Sequence, residues 1–230
     1  MLEATDSLQT FRALRISSAT VADVLDAMGV DGALDGRIHA QNKRHFHAVG
    51  YAYTVQWAPV RKLRDIKGPQ PSTWEQVKNF LVPQLSTGRD LVYVAGAGPL
   101  LCDAALAGGM SSTYFQQLGF EAVVLGGAVR DLSELERLDM PVLATNPIPT
   151  DTQGAYKVAE VGGSCIVDNR LIRSGDLIVA DENGVVAVPG ELVGETLERA
   201  MAIERLEAEM LDRIRQGERL PELIERSGRI

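Results

Sequence analysis

Residues 118–135 read LGFEAVVLGGAVRDLSEL. The apolar, β-branched run at 122–125 predicts a buried strand, and a glycine pair follows it at once. Arg130 and Asp131 come directly after that loop, where neither charge is needed for packing. Ligands of α/β sheets bind beyond the carboxyl ends of the strands, so this loop is the first candidate for a functional site.

The segments around this strand predict a parallel sheet. A second strand at 91–95 precedes it, and a helix at 111–118 lies between the two, which is the order of a right-handed βαβ unit. A helix at 132–138 and a strand at 141–144 continue the pattern. The chain is therefore expected to have an α/β fold.

The rest of the chain adds further elements. Asn183-Gly184 predicts a tight hairpin turn between two strands. The remaining predicted strands and helices are a helix at 19–28, a strand at 49–56, a helix at 74–85, and strands at 164–167, 177–180 and 185–188. We expect three parts: an N-terminal extension (1–15), one α/β domain (16–190), and a long amphipathic helix with a tail (191–230). That helix either crosses a neighbouring subunit or packs along its own domain.

Composition excludes several classes of function. The 23 basic and 31 acidic residues give a net charge of −8, which disfavours binding to nucleic acid or to an anionic membrane. The first residues lack a long apolar run, which predicts neither a signal peptide nor a membrane span. Two cysteines without C-x-x-C spacing predict reduced core thiols and a cytoplasmic location.

Two loops carry candidate chemistry. Arginine can hold a carboxylate in a two-point fork, and aspartate can ligate magnesium or manganese, so Arg130 and Asp131 could together fix a 2-oxo acid. The alternative is that Asp131 caps the following helix and Arg130 forms a surface salt bridge.

The second loop contains small residues before the helix at 111–118. Its backbone N–H groups and hydroxyls could bind a carboxylate at the helix N-terminus, although glycine-rich turns before helices are also common. The candidate substrate-binding residues are Gly108, Gly109, Met110, Ser111 and Ser112.

Four runs together resemble a known family: LGFEAVVLGGAVRDLSEL, SSATVADVLDAMGVDGAL near the N-terminus, VGYAYTV in the strand at 49–56, and SGDLIVADENGVVAVP before the last helix. The resemblance is to the RraA-like family and covers about residues 16–216. That family contains 4-hydroxy-4-methyl-2-oxoglutarate aldolases with oxaloacetate decarboxylase activity, and also the regulator of ribonuclease activity A.

The resemblance implies an α/β/α sandwich with a swivelling, phosphohistidine-domain-like core and a long C-terminal helix. It implies a homotrimer or homohexamer with the site at a subunit interface, and a metal-dependent aldolase or decarboxylase that acts on a small 2-oxo acid. By the same resemblance Arg130 binds substrate and stabilises the enolate, and Asp131 holds Mg²⁺ or Mn²⁺. Glu204 or Glu207 of a neighbouring subunit would approach the metal-bound waters.

The chain departs from the family pattern at two places. Aldolases of the family usually carry an acid where this chain has Gly109 or Met110, and often an acid or amide at Gly126. Asp103 is the nearest candidate for the missing catalytic acid, although a surface position on a helical turn at 100–107 is the alternative. These departures predict a changed substrate or a changed proton route.

Two other functions stay open. One is a non-catalytic regulator that binds an RNA-processing enzyme through its acidic surface. The other is a lyase or hydrolase for a different small carboxylate, with residues 62–74 as a specificity loop.

Overall fold

The structure, a computed structural model, describes residues 2–60 and 72–227. The helices are α1 (Leu2–Leu14), α2 (Ser18–Ala27), α3 (Thr73–Val77), α4 (Gly109–Leu118), α5 (Leu132–Leu135), α6 (Val193–Arg215) and α7 (Leu220–Ser227), with 3-10 turns at Lys78–Leu81 and Gly190–Leu192. The strands are β1 (His39–Ala40), β2 (His47–Pro59), β3 (Leu91–Gly96), β4 (Leu101–Ala107), β5 (Ala122–Leu125), β6 (Gly127–Val129), β7 (Val142–Ala144), β8 (Tyr156–Val161), β9 (Ser164–Val167), β10 (Arg170–Arg173), β11 (Leu177–Asp181) and β12 (Gly184–Val188).

The main sheet has a parallel centre with antiparallel strands on both sides. Its order is β1-β7-β5-β3-β2-β11-β12, and β8 pairs with the second half of the long strand β2. The pairs β2–β3, β3–β5 and β5–β7 are parallel. The predicted α/β class is confirmed. The prediction that the strands before and after α4 belong to one parallel sheet is also confirmed, because β3 pairs with β5.

The central strands are apolar throughout because both faces of the sheet are covered. Tyr93 and Val123 face one cluster of buried side chains, which includes Phe115 of α4. Val92 and Val124, their neighbours in the chain, face a second cluster on the other side. The ring centroids of Tyr93 and Phe115 lie 4.3 Å apart, so α4 is fixed against the sheet by a stacked aromatic pair.

A third cluster joins the helices α1, α2 and α6 to β11 and β12. Phe11 of α1 is fully buried in it, and Leu197, Ala200 and Ile203 form the buried stripe of α6. The N-terminal extension is therefore a helix that contributes to the core. The long C-terminal helix is confirmed, and its first half packs along its own domain.

Two short parallel strands outside the main sheet position the functional loops. Strands β4 and β6 pair with each other, with Leu101 opposite Gly127 and Ala107 opposite Val129. Both strands end at the same edge, so the residues that follow them are brought together.

Some predictions fail. The predicted helical turn at 100–107 is wrong: residues 101–107 form the strand β4, which pairs with β6 and buries its last four residues. Cys102 is exposed on that strand, so only Cys165 is a core thiol. The predicted helix at 132–138 is the single turn α5, and the helix at 74–85 is shortened to α3 with a 3-10 turn.

Other predictions are not decided by the structure. The specificity loop at 62–74 lies outside the described residues except for its last three. The sandwich with a swivelling core stays a prediction. Within the described ranges, no helix has both the length and the hydropathy of a membrane span.

Candidate active site

Arg130 and Asp131 follow β6 directly, and the backbone turns sharply between them and α5. Asp131 adopts a left-handed conformation with φ 63° and ψ 48°. Its carbonyl oxygen accepts the N–H groups of Glu134 and Leu135 at 2.9 and 3.2 Å, which starts α5. Its side chain makes no capping bond to that helix. Asp131 therefore occupies the N-cap position of α5, as the alternative predicted, but it starts the helix through its backbone carbonyl and not through its side chain.

The Asp131 carboxylate instead turns toward the start of α4. Its Oδ2 accepts the N–H of Gly109 at 3.0 Å. A Cβ atom on Gly108 would lie 2.7 Å from this Oδ2, and one on Gly109 would lie 2.7 Å from Cβ of Glu134. A side chain at Gly109 would force Glu134 to shift, and one at Gly108 would displace the side chains of Asp131 and Arg130.

The first turn of α4 uses some of its hydrogen-bond donors internally. Ser111 Oγ accepts the N–H of Gly108 at 2.9 Å, and the N–H of Ser112 bonds to the Gly108 carbonyl at 3.0 Å. Ser112 is fully buried, and its hydroxyl has no partner among the described residues. The N–H groups of Met110 and Ser111 belong to the first turn of α4, where the helix itself supplies no carbonyl to accept them. These two groups are the donors that the helix N-terminus offers a ligand.

A cavity of about 230 Å³ opens beside this turn, and its lining includes Gly108, Met110, Ser111, Arg130 and Asp131. The structure thus brings five of the ten predicted site residues together at one cavity. The reason is the register of β4 with β6, because Gly108 follows the one strand and Arg130 the other.

Asp151 also lines the cavity, although no pattern in the sequence assigns it a role. Arg130 Nη1 lies 3.4 Å from Asp151 Oδ2, while Arg130 Nε lies 3.7 Å from Asp131 Oδ2. Asp151 reaches this place because Ala105 of β4 donates its N–H to the Thr150 carbonyl at 2.8 Å. The only signal in the sequence was an acid in the loop after the strand at 141–144, a loop that also belongs to the carboxyl edge of the sheet.

Asp103 lies elsewhere. It is exposed on β4 and is not among the described residues that line the cavity. Its Oδ1 accepts the phenol O–H of Tyr156 at 3.2 Å. Partial burial raises the pKa of Tyr156, and the negative charge of Asp103 raises it further. Asp103 therefore holds β8 and β4 together, and no contact links it to Arg130.

Glu204 and Glu207 lie on α6, whose buried stripe packs into the third cluster and not beside Asp131. Partial burial raises the pKa of Glu204, with a smaller contribution from the charge of Glu207. Within one chain the two glutamates do not join the site. Their predicted role, as groups from a neighbouring subunit, stays a prediction.

The donor set around Asp131 suits a hard cation bound mainly through water. Asp131 Oδ1 has no hydrogen-bond partner among the described residues, and the carboxylate is about half exposed to the cavity. Within residues 2–60 and 72–227 there is no group of three or more His, Cys, Asp or Glu side chains that could hold a metal. Mg²⁺ and Mn²⁺ are commonly held by one or two carboxylates with water and substrate, so Asp131 fits such an ion.

Comparison with known proteins places this arrangement in a family. The sequence model of the RraA-like family (Aldolase/RraA) matches residues 18–187. DlpA of Legionella pneumophila is 26% identical over 90% of this chain, which spans 32% of DlpA. A protein of Deinococcus radiodurans named as a candidate 4-hydroxy-4-methyl-2-oxoglutarate aldolase is 36% identical over 45% of this chain and 62% of its own length. The chain thus spans less than two thirds of these relatives.

Solved structures resemble the whole fold. A protein of unknown function from Pseudomonas syringae superposes with a TM-score of 0.79 at 24% identity, covering 95% of this chain and 96% of that one. RraAS2 of Streptomyces coelicolor, described as an unusual member of the RNase ES inhibitor RraA protein family, gives a TM-score of 0.73 at 25% identity. It covers 91% of this chain and 98% of its own.

Proposed function

The chain belongs to the RraA-like family, and from this we propose that it is a divalent-metal-dependent carbon–carbon lyase, an aldolase or decarboxylase, acting on a small 2-oxo acid. One observation carries the proposal. Arg130 and Asp131 line the same cavity as the N-terminal turn of α4. A guanidinium, a carboxylate of the kind that can bind a divalent metal, and the donors of a helix N-terminus therefore surround one space.

The 2-oxo acid would be held by its charged end. The N–H groups of Met110 and Ser111 point from the helix N-terminus, which favours a carboxylate. The Arg130 guanidinium offers a planar fork that can hold the same carboxylate or the oxygen on which negative charge develops. Because Arg130 is half-buried, its attraction for that charge is stronger than in open water.

Asp131 would hold the metal through Oδ1, the oxygen that no described residue occupies. When bound, a divalent cation supplies Lewis-acid polarisation of the substrate carbonyl. The bond from the Gly109 N–H to Oδ2 fixes the carboxylate in the orientation that this role requires.

Asp151 would position Arg130. The guanidinium lies between Asp131 and Asp151, so its plane is set from two sides. Carbon–carbon cleavage leaves an enolate that must receive a proton at C3, from water or from an acid within hydrogen-bond reach. Asp131 and Asp151 are the two carboxyl groups that line the described part of the cavity.

The test is release of pyruvate from oxaloacetate and from 4-hydroxy-4-methyl-2-oxoglutarate, with and without Mg²⁺ or Mn²⁺. We expect metal-dependent release by the wild type and a loss of at least about a hundredfold in Asp131→Asn, which keeps the shape of the side chain but weakens metal binding. Asp139→Asn is the matched control, because Asp139 is fully exposed and forms only a surface ion pair with Lys43. No release from these two substrates or from any other 4-hydroxy-2-oxo acid, under any metal condition, would refute the proposal.

A non-catalytic regulator of an RNA-processing enzyme is the second candidate. The observation in its favour is the likeness to RraAS2 along nearly the whole chain. A regulator would inhibit its ribonuclease partner equally well as wild type and as Asp131→Asn, without added metal. For either function we propose a homo-oligomer, a trimer or hexamer, in the cytoplasm.

A further inference from the structure

The cavity has two sides of opposite character. Arg130, Asp131 and Asp151 form the charged side. The facing side, which we call the apolar wall, belongs to α3 and the 3-10 turn after it. It consists of Trp74, Val77, Phe80 and Leu81.

The apolar wall is fixed to the rest of the molecule. Thr73 Oγ1 donates to Gln153 Oε1 at 3.0 Å, which ties α3 to the loop that carries Asp151. The Tyr93 phenol donates to the Phe80 carbonyl at 3.1 Å, and the ring of Phe80 lies 5.8 Å from that of Trp57. The wall therefore keeps its place opposite the charged side.

Two apolar side chains at the cavity are left open to solvent. Trp74 is 48% exposed and Met110 is 87% exposed, although both line the cavity. Large apolar groups around a polar centre are the usual composition of a pocket that binds an organic ligand. A ligand in contact with Trp74 would remove this surface from water.

The charges favour an apolar tail on that ligand. Arg130 is the only cationic side chain among the described lining residues, and Asp131 and Asp151 already flank it. The charged end of a 2-oxo acid would occupy this arginine and the metal. A second carboxylate at the far end of the substrate would meet no cationic partner among the described residues of the apolar wall, and burying an unpaired charge is costly.

We propose that the substrate of this site is a 4-hydroxy-2-oxo acid whose C4 carries an alkyl or aryl group in place of a carboxylate-bearing chain; this rests on the lyase function proposed above. In the reaction the C3–C4 bond breaks and its electron pair forms the enolate of pyruvate. The C4 hydroxyl loses its proton to a base and becomes the carbonyl of the released aldehyde. The enolate then takes one proton at C3.

The first experiment compares two substrates in the presence of Mn²⁺. Pyruvate release from 4-hydroxy-2-oxo-4-phenylbutanoate is measured beside release from 4-hydroxy-4-methyl-2-oxoglutarate. We expect kcat/KM to be at least about tenfold higher for the phenyl substrate, since filling an apolar pocket discriminates by this order. If the dicarboxylate is preferred, the inference fails while the lyase function stands.

A variant tests whether the apolar wall causes the preference for the phenyl substrate. Trp74→Ala removes an exposed side chain, so the fold should survive, and we expect the preference ratio to fall about tenfold. Leu14→Ala is the matched control, because Leu14 is 44% exposed on α1 and does not line the cavity. An unchanged ratio in Trp74→Ala would contradict the assignment of the wall.

A binding measurement separates this inference from the lyase function. The chain has two tryptophans, and Trp57 is buried, so a ligand that reaches the cavity changes mainly the fluorescence of Trp74. We expect 4-methyl-2-oxopentanoate to shift this emission to shorter wavelength at about tenfold lower concentration than 2-oxoglutarate. Trp74→Phe should abolish the shift. Equal binding of the two acids would overturn the inference, and a shift without pyruvate release from any substrate would overturn only the lyase function.

Discussion

Arg130 Nη1 lies 3.4 Å from Asp151 Oδ2 at the edge of the cavity, although the two residues are 21 positions apart in the chain. We expect Asp151→Asn to lower kcat by roughly ten- to a hundredfold with a smaller change in KM, because a guanidinium held from one side only is misplaced in the transition state. Steady-state kinetics of pyruvate release, with whichever substrate the wild type cleaves fastest, measures kcat and KM separately.

Two further variants show whether Asp151 acts through its charge. Asp151→Glu restores a carboxylate and should recover part of kcat, and Asp139→Asn removes an exposed carboxylate as a control. If Asp151→Asn retains full kcat, Asp151 does not position Arg130.

Gly109 allows α4 and α5 to approach each other. A Cβ at this position would lie 2.7 Å from Cβ of Glu134 and 3.2 Å from Cβ of Asp131. Gly109→Ala should therefore lower the free energy of unfolding by about 1–3 kcal/mol and displace the Asp131 carboxylate, with loss of the metal-dependent turnover proposed above. Urea unfolding and the pyruvate assay measure the two effects.

Gly194→Ala is the matched control for Gly109→Ala. Nothing lies within 4 Å of a Cβ at Gly194, which is in the first turn of α6. This control should keep its activity and gain up to about 1 kcal/mol of stability. Equal stability and turnover of Gly109→Ala and wild type would show that the two helices can separate freely.

The two cysteines should differ in reactivity. Cys102 is exposed on β4, whereas Cys165 is buried, and burial raises the pKa of its thiol to about 12. With Ellman's reagent at pH 8 we expect one rapidly reacting thiol per native chain, none in Cys102→Ser, and two after denaturation. Rapid reaction of two thiols in the native protein would contradict the buried position of Cys165.

Stability should fall at alkaline pH because of Cys165. The thiol ionises near pH 9 in the unfolded chain, but its folded pKa is raised to about 12 by burial. Its contribution to stability is therefore complete below pH 9 and is lost as the pH rises from about 9 to about 12, on the order of 1 kcal/mol per pH unit.

Urea unfolding of the wild type and Cys165→Ala between pH 8 and 10.5 tests this dependence. The buried Tyr93, whose pKa is raised mainly by burial and less by the nearby Cys165, is present in both proteins. We expect a shallower decline in Cys165→Ala. Parallel declines would show that Cys165 does not cause the loss.

Local sequence was sufficient for the elements whose pattern repeats over several residues. The strand at 122–125 was predicted with its observed bounds, because an apolar run of that length is buried on both faces of the sheet. A tight turn joins β11 to β12 as predicted, but its two central residues are Glu182 and Asn183, because Gly184 already pairs with Asp181 as the first residue of β12. Arg130 and Asp131 were identified by their place after an apolar strand.

Tertiary structure decided what faces those two residues. The pairing of β4 with β6 places Gly108 beside Arg130, and the bond between Ala105 and Thr150 brings Asp151 to the same guanidinium. The apolar wall of α3 and its 3-10 turn closes the cavity from a segment far away in the chain. Local periodicity reports which residues are buried but not which strand lies beside which. The sequence therefore determined the charged pair, while long-range strand pairing decided its partners and the shape of the space around it.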